Sequence, residues 1–249
     1  MKNHNKNKMK VVILCGGEGK RLRPLTEYLP KTLMPIMGIP ILQHIIEHFI
    51  RKGLKEFILC VGFKSDAIKK FIKSQNFHAD IIISDAGVEA SMLKRIYEAH
   101  KHFEERALIT YGDTFIAIEP QQMLEQHLKN RADISITVAE SRSPFGHVQS
   151  SSQNNRVISF EEKPSFSYYI GNMIIESKVF NNINDNIISL PDGRGLIALF
   201  QECINRKTLY SIKHAGLQLT FNTLYQYRKA ETDFIKFFTE QGDINNGDF

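Results

Sequence analysis

The chain reads as an α/β protein: a Rossmann-like three-layer sandwich around a mixed, mostly parallel sheet. Three observations predict this. Five short β-branched runs, VVILC, EFILCVG, DIIIS, ALITYGD and DISITVAE, have strand length and composition. Between them PILQHIIEHFIRKG, SDAIKKFIKSQ, MLKRIYEAHKHFEE and QQMLEQHLKNR repeat apolar residues at i, i+3, i+4 and i+7. Strands alternating with helices predict a sheet covered on both faces, whose ligands bind beyond the carboxyl ends of the strands.

The first strand is the most informative. VVILC ends in Gly16-Gly17-Glu18-Gly19, followed at once by Lys20 and Arg21. A buried strand feeding a glycine turn lets main-chain N–H groups approach a polyphosphate without Cβ obstruction, and such concave amide arrays bind anions. Lys31, set between Pro30 and a second apolar stretch, adds another cation. The turn is neither a Walker A loop, since no G-x-x-x-x-G-K-[ST] string occurs, nor a dinucleotide fingerprint, since Leu22 stands where the third glycine belongs.

After the first five strands the pattern changes. SRSPFGHVQSSSQNN reads as a polar hairpin, VISFEEKP and YYIGNMIIE as strands, and VFNNINDNIISLPDGRG as a loop-heavy stretch. GLIALFQECINRK is a helix, TLYSIKHAGLQLTF returns as strands, and LYQYRKAETDFIKFF is the last helix. Its Phe234, Phe237 and Phe238 can meet a second copy of the chain, or cap their own core, the commoner outcome. Residues 1–9 read as a flexible polar leader, 10–240 as a single domain and 241–249 as a frayed tail.

Composition narrows the function. A chain of 249 residues with 42% hydrophobic content can bury a full core. No apolar run approaches the ~18 residues of a membrane helix, and the first ten residues lack the apolar core of a secretory signal. Cys15, Cys60 and Cys203 have no CxxC spacing and read as buried thiols, so the chain is expected in the cytoplasm. The net charge of +5 is spread among acids rather than gathered in a stripe with aromatics, which argues against nucleic acid. The histidines lie scattered without ligand spacing, and no serine or cysteine nucleophile has a paired base.

Two further constellations carry chemistry. LITYGD ends a strand in Gly112-Asp113, and a carboxylate there can reach Mg²⁺ bridging phosphates. In FEEKP, Lys163 is fixed by a proline after an acidic pair and can hold an acceptor phosphate.

The string G-G-x-G-x-R-L-x-P-x-T followed by P-K-x-L-x-P resembles the signature of sugar-phosphate nucleotidylyltransferases. The resemblance runs from Lys10 to Glu231. Within the family it is most similar to the glucose-1-phosphate cytidylyltransferases, through PILQHIIEHFIRKGLKEFILCVGFKSDAIKKFI, SDAGVEASMLKRI, TYGD, RVISFEEKP and FNTL. It implies the nucleotide-diphospho-sugar transferase fold and transfer of CMP from CTP to a small phosphorylated acceptor, a sugar 1-phosphate, with release of pyrophosphate. It also implies a place in making precursors for surface polysaccharide, such as capsule.

The resemblance assigns catalysis to Arg21, Lys31 and Asp113. It assigns nucleotide binding to Leu14, Cys15, Gly16, Gly17, Glu18, Gly19, Lys20, Arg21, Gly87 and Gly112. Glu162, Lys163, Gly171 and Asn172 fall to the acceptor, and Asp113 to Mg²⁺. The family's second metal-binding Asp is replaced by Asn222, which keeps a ligand oxygen but loses the charge. A tryptophan expected near Gln218 is absent, a glycine-bearing segment is shortened to Glu89-Ala90-Ser91-Met92, and an I-N-G-G string has become Tyr169-Ile170-Gly171-Asn172. These departures lie mostly on the acceptor side. They leave open a non-sugar acceptor, such as a phosphorylated amino-acid derivative or a phosphonate, and a weakly active nucleotide-binding regulatory module.

Overall fold

A computed structural model describes residues 9–181 and 183–240, with side chains through residue 236. The expected tail at 241–249 and the first eight residues of the expected leader lie outside the described residues. Met9, the last residue of the expected leader, directly precedes the first strand and is buried in the core.

Seven strands form the central sheet: β1 (Lys10–Leu14), β2 (Glu56–Val61), β3 (Asp80–Asp85), β4 (Arg106–Tyr111), β5 (Ile134–Arg142), β6 (Ser165–Glu176) and β7 (Leu209–Lys213). Their order is β7-β5-β6-β4-β1-β2-β3. All neighbouring pairs are parallel except those made by β6, which runs antiparallel to both β4 and β5. The sequence-based expectation of a mixed, mostly parallel sheet holds.

The central strands are apolar throughout because both faces are covered. In β1, Val11 and Ile13 join one core and Val12 joins the other, as the period of two requires. The first core takes helices α1 (Ile41–Arg51) and α2 (Ser65–Ser74), together with α4 (Pro120–Lys129) and α6 (Leu224–Glu240). The second takes α3 (Met92–Ala99) and α5 (Arg194–Asn205). Helix α1 buries Ile41, Leu42, Ile45, Ile46 and Phe49 along one stripe. Each such side chain contributes roughly 1.5–3 kcal/mol, so the stripe fixes the helix on the sheet. Phe234 of α6 is also buried, its ring 5.3 Å from that of Phe115 and 4.4 Å from that of His44. It caps the chain's own core.

Two local features shape the carboxyl edge of the sheet. The TLYSIKHAGLQLTF segment divides: its first part is β7, and Gln218–Thr220 pairs antiparallel with Thr114–Ile116, just past β4. Strand β6 shifts register against β5 between Tyr169 and Met173. Beyond that irregularity β5 and β6 continue as an exposed two-stranded ribbon. The ribbon leads into a second pair, His147–Ser150 with Val157–Glu161.

Candidate active site

A cavity of about 660 Å³ opens where β1 and β4 end. Its floor is the turn from Gly16 to Leu22, and Lys31, Thr32, Tyr111, Asp113, Thr114, Thr220 and Asn222 form one wall. Val88, Glu89, Ala90, Met92, Arg95 and Asp192 line the opposite side. The first strand, the TYGD strand end and the PKTLMP segment therefore converge on one crevice.

Local structure explains the convergence. The Gly112 N–H donates to the Leu14 carbonyl at 3.0 Å, so the chain after β4 is stitched to the end of β1 and Asp113 emerges beside the glycine turn. Lys31 sits on a single 3-10 turn, Lys31–Leu33, and is only 7% exposed. Its Nζ donates to Asp113 Oδ2 at 2.7 Å and to Asn222 Oδ1 at 3.2 Å. The Phe221 ring lies beneath it, 5.2 Å from Nζ to the centroid, adding a cation–π contact. Asn222 reaches this point because the Gln218–Thr220 pairing returns the chain to Asp113 from more than a hundred residues away. Its backbone is held by the Gln226 side chain, which accepts the Asn222 N–H at 2.8 Å.

Asp113 and Asn222 offer one carboxylate and one amide oxygen, the hard donors Mg²⁺ takes. Among the described residues no group of three His, Cys, Asp or Glu side chains could hold a metal alone. The donor set therefore fits an ion that completes its coordination with phosphate oxygens and water.

The remaining assigned residues divide into three groups. Leu14, Gly16, Gly17, Glu18, Gly19, Lys20 and Arg21 line the cavity. Arg21 is exposed at its wall, and Glu18 pairs with Lys20 at 3.2 Å and with Arg23 at 3.7 Å. Cys15, Gly112 and Gly87 stand behind or beside it. Burial, reinforced by Cys60 and Asp113, pushes the Cys15 thiol well above its ordinary pKa, so it stays protonated. Gly87 lies on the surface next to Val88, its N–H donating to Asp85 at 3.1 Å.

The acceptor-side residues are not in the cavity. Glu162 and Lys163 are exposed at the foot of the distal hairpin, where the Lys163 carbonyl accepts from Arg142 Nε at 3.0 Å. Asn172 is 1% exposed, and its Oδ1 accepts the Thr110 hydroxyl at 2.9 Å inside the sheet, while its Nδ2 is buried without a partner. Gly171, on the β6 irregularity, has φ +104° and faces the Tyr111 ring, where an added Cβ would come within 2.8 Å.

Tyr111, Arg95 and Asp192 are cavity residues that sequence reasoning passed over. Burial pushes the Tyr111 phenol up, and its ring meets Tyr169 edge-on at 6.3 Å. Asp192 accepts the Met92 N–H at 2.8 Å, tying the start of α3 to the loop before α5.

A sequence profile of the nucleotidyl transferase family matches residues 10–210. The chain belongs to that family. It is 30% identical over 212 residues to the bifunctional protein GlmU of Methanocaldococcus jannaschii, covering 84% of this chain and 50% of that protein. Against the glucose-1-phosphate cytidylyltransferase of Salmonella typhi it is 29% identical over 210 residues, 74% of this chain and 79% of the relative. A D-glycero-alpha-D-manno-heptose 1-phosphate guanylyltransferase of Campylobacter jejuni is 32% identical over 157 residues, 62% and 69% of the two chains. Among solved structures, HddC from Yersinia pseudotuberculosis superposes with a TM-score of 0.68 at 21% identity, over 91% of this chain and all of that one. That likeness is one of fold. The family shown is that of the nucleotidyl transferases, and the second and third of these relatives are named for transfer to sugar 1-phosphates. No helix among the described residues is long and apolar enough to cross a membrane.

Proposed function

We propose that this nucleotidyltransferase moves CMP from CTP onto a sugar 1-phosphate and releases pyrophosphate. The observation that carries the transfer chemistry is the Lys31 ammonium, buried beside the glycine turn and held between Asp113 and Asn222. The attacking phosphate oxygen is already anionic, so no general base is required. Rate then comes from alignment and charge neutralisation.

In this reading the turn from Gly16 to Gly19 presents main-chain amides to the triphosphate, and Arg21 receives the departing pyrophosphate. Lys31 bridges the α-phosphate and the incoming oxygen. Asp113, with the Asn222 oxygen, would hold Mg²⁺, which when bound supplies further neutralisation of phosphate charge. Glu162 and Lys163, on the ribbon rooted at the carboxyl edge, would meet the acceptor. The cytidine choice is supported by the cytidylyltransferase relative. A guanine donor is the second reading, favoured by the guanylyltransferase relative at 32% identity.

The test is a matrix of CTP, GTP, UTP, dTTP and ATP against sugar 1-phosphates, non-sugar phosphates and phosphonates, with Mg²⁺, followed by pyrophosphate release. Turnover of CTP with glucose 1-phosphate or another sugar 1-phosphate supports the proposal. Turnover with GTP alone replaces the donor, turnover with a non-sugar acceptor alone replaces the acceptor, and silence across the matrix removes the transferase reading.

A further inference from the structure

Arg95 is a buried cation in an unusual place. It lies on α3, is 5% exposed, and reaches only main-chain acceptors with the donors described for it. One guanidinium nitrogen donates to the Val61 carbonyl at the end of β2. The other donates to Gly16 O at 3.3 Å and to Val88 O at 2.9 Å. Three segments that leave three adjacent strands, β1, β2 and β3, are thus tied to one planar group. A guanidinium can do this because its five donors point outward in a fixed plane; an ammonium on a flexible stem cannot span the same set.

The neighbouring glycines fit around it. A Cβ on Gly16 would stand 2.3 Å from the guanidinium carbon, and a Cβ on Gly62 would stand 2.4 Å from one of its nitrogens. Gly17, one residue further on, has open space where its Cβ would be. The first glycine of the turn therefore makes room for Arg95, while the second leaves its outer face free to the cavity. Glycine at residue 16 thus has a packing reason beside the phosphate-approach one, since its main chain still lines the cavity.

We infer that Arg95 is the positioning residue that sets the gap between the glycine turn and the 86–91 loop, and that residue 16 is glycine because of it. Both loops line the same cavity, so this gap is the width of the slot a nucleoside would enter. A slot already at its working width binds without a further ordering cost. Asp192 and Asp85 lie near enough to act on the buried charge, so its part here is to hold the loops rather than to supply net positive potential. The nucleotide part of the inference rests on the transfer reading above; the packing part does not.

A double-mutant cycle without ligand tests the packing. Gly16→Ala in the otherwise native chain should lower the thermal midpoint by about 4 °C or more. In an Arg95→Ala background the same Gly16→Ala change should cost little, because the colliding group is gone. Equal losses in both backgrounds, or a Gly16→Ala protein as stable as the native one, would overturn the inference. Arg95→Lys then tests positioning: with the circular dichroism spectrum retained, CTP titrated by calorimetry should bind about tenfold more weakly, with Arg95→Gln at least as weak. Unchanged affinity in both variants defeats the positioning role. If the native chain binds neither CTP nor any other nucleoside triphosphate, the transfer reading fails while the ligand-free cycle still decides the packing.

Discussion

The Lys31 ammonium lies 2.7 Å from the Asp113 carboxylate although 82 residues separate them, and Lys31 itself is almost wholly buried. A desolvated cation fixed at that distance is aligned before substrate arrives. Lys31→Met keeps the apolar stem and removes the charge. Pyrophosphate release should fall a hundredfold or more, the size typical of losing a preorganised charge contact, about 3–4 kcal/mol. Turnover within threefold of native would argue against the role given to Lys31.

Arg21 differs in being exposed at the cavity wall, so its loss should spare the fold. Arg21→Ala is expected to reduce kcat about a hundredfold, with a native thermal midpoint. A variant of normal kcat would place the departing pyrophosphate elsewhere.

Asn222 contributes an amide oxygen where a carboxylate would bring a second negative charge. Asn222→Asp should tighten divalent-metal binding, read by direct Mn²⁺ titration and by a lower half-saturating Mg²⁺ concentration in the pyrophosphate assay. Metal affinity no greater than native would mean that residue 222 does not face the ion.

His48 provides a pH signature unrelated to catalysis. Burial, with smaller contributions from Lys52 and Arg51, lowers its pKa from 6.5 to about 4, and its Nε2 faces the Ile118 carbonyl at 3.1 Å. The unfolded chain therefore binds the proton more readily than the folded one. The stabilising contribution is complete above pH 6.5 and is lost as pH falls from there to about 4. Urea unfolding across that window should show stability dropping with acidity. His48→Gln, which keeps an N–H donor for Ile118, should flatten the drop, leaving the part due to His44, whose pKa burial also lowers, and near pH 4 the part due to carboxylates such as Glu98, which Lys101 and Lys94 hold low. An unaltered slope in the variant would assign the effect to other groups.

Gly171→Ala imposes a Cβ at φ +104° and against the Tyr111 ring. Denaturant unfolding should report a loss of about 1–3 kcal/mol. Because Tyr111 lines the cavity, substrate KM should rise as well. A stability equal to native would show that the ring can move aside freely.

The central sheet was legible because each of its inner strands is an apolar run and each helix keeps one stripe. VVILC before a glycine turn and TYGD after a strand also locate the cavity, since parallel strands deliver their exits to one edge. Asn222 could not be placed by periodicity: it nears Asp113 only through the pairing of Gln218–Thr220 with Thr114–Ile116, a long-range contact. Arg95 reads in sequence as one of the two cations of MLKRI, and its burial depends on carbonyls at the exits of three strands and on hydrogen-sized side chains at residues 16 and 62. The EKP motif was visible, yet its position was not, because the ribbon that carries it departs from the sheet at the Tyr169–Met173 irregularity.

That ribbon has a consequence for how the molecule can diversify. No side chain between residues 140 and 168 is buried, so this stretch anchors none of the hydrophobic interior; the ribbon joins it at Tyr169, whose ring meets Tyr111 and Phe200. Lengthening, shortening or recolouring it with new charges leaves the packed sheet and the cavity at the glycine turn undisturbed. In the proposed reaction, where Glu162 and Lys163 meet the acceptor, preference for one acceptor over another can drift there generation by generation while the glycine turn stays fixed.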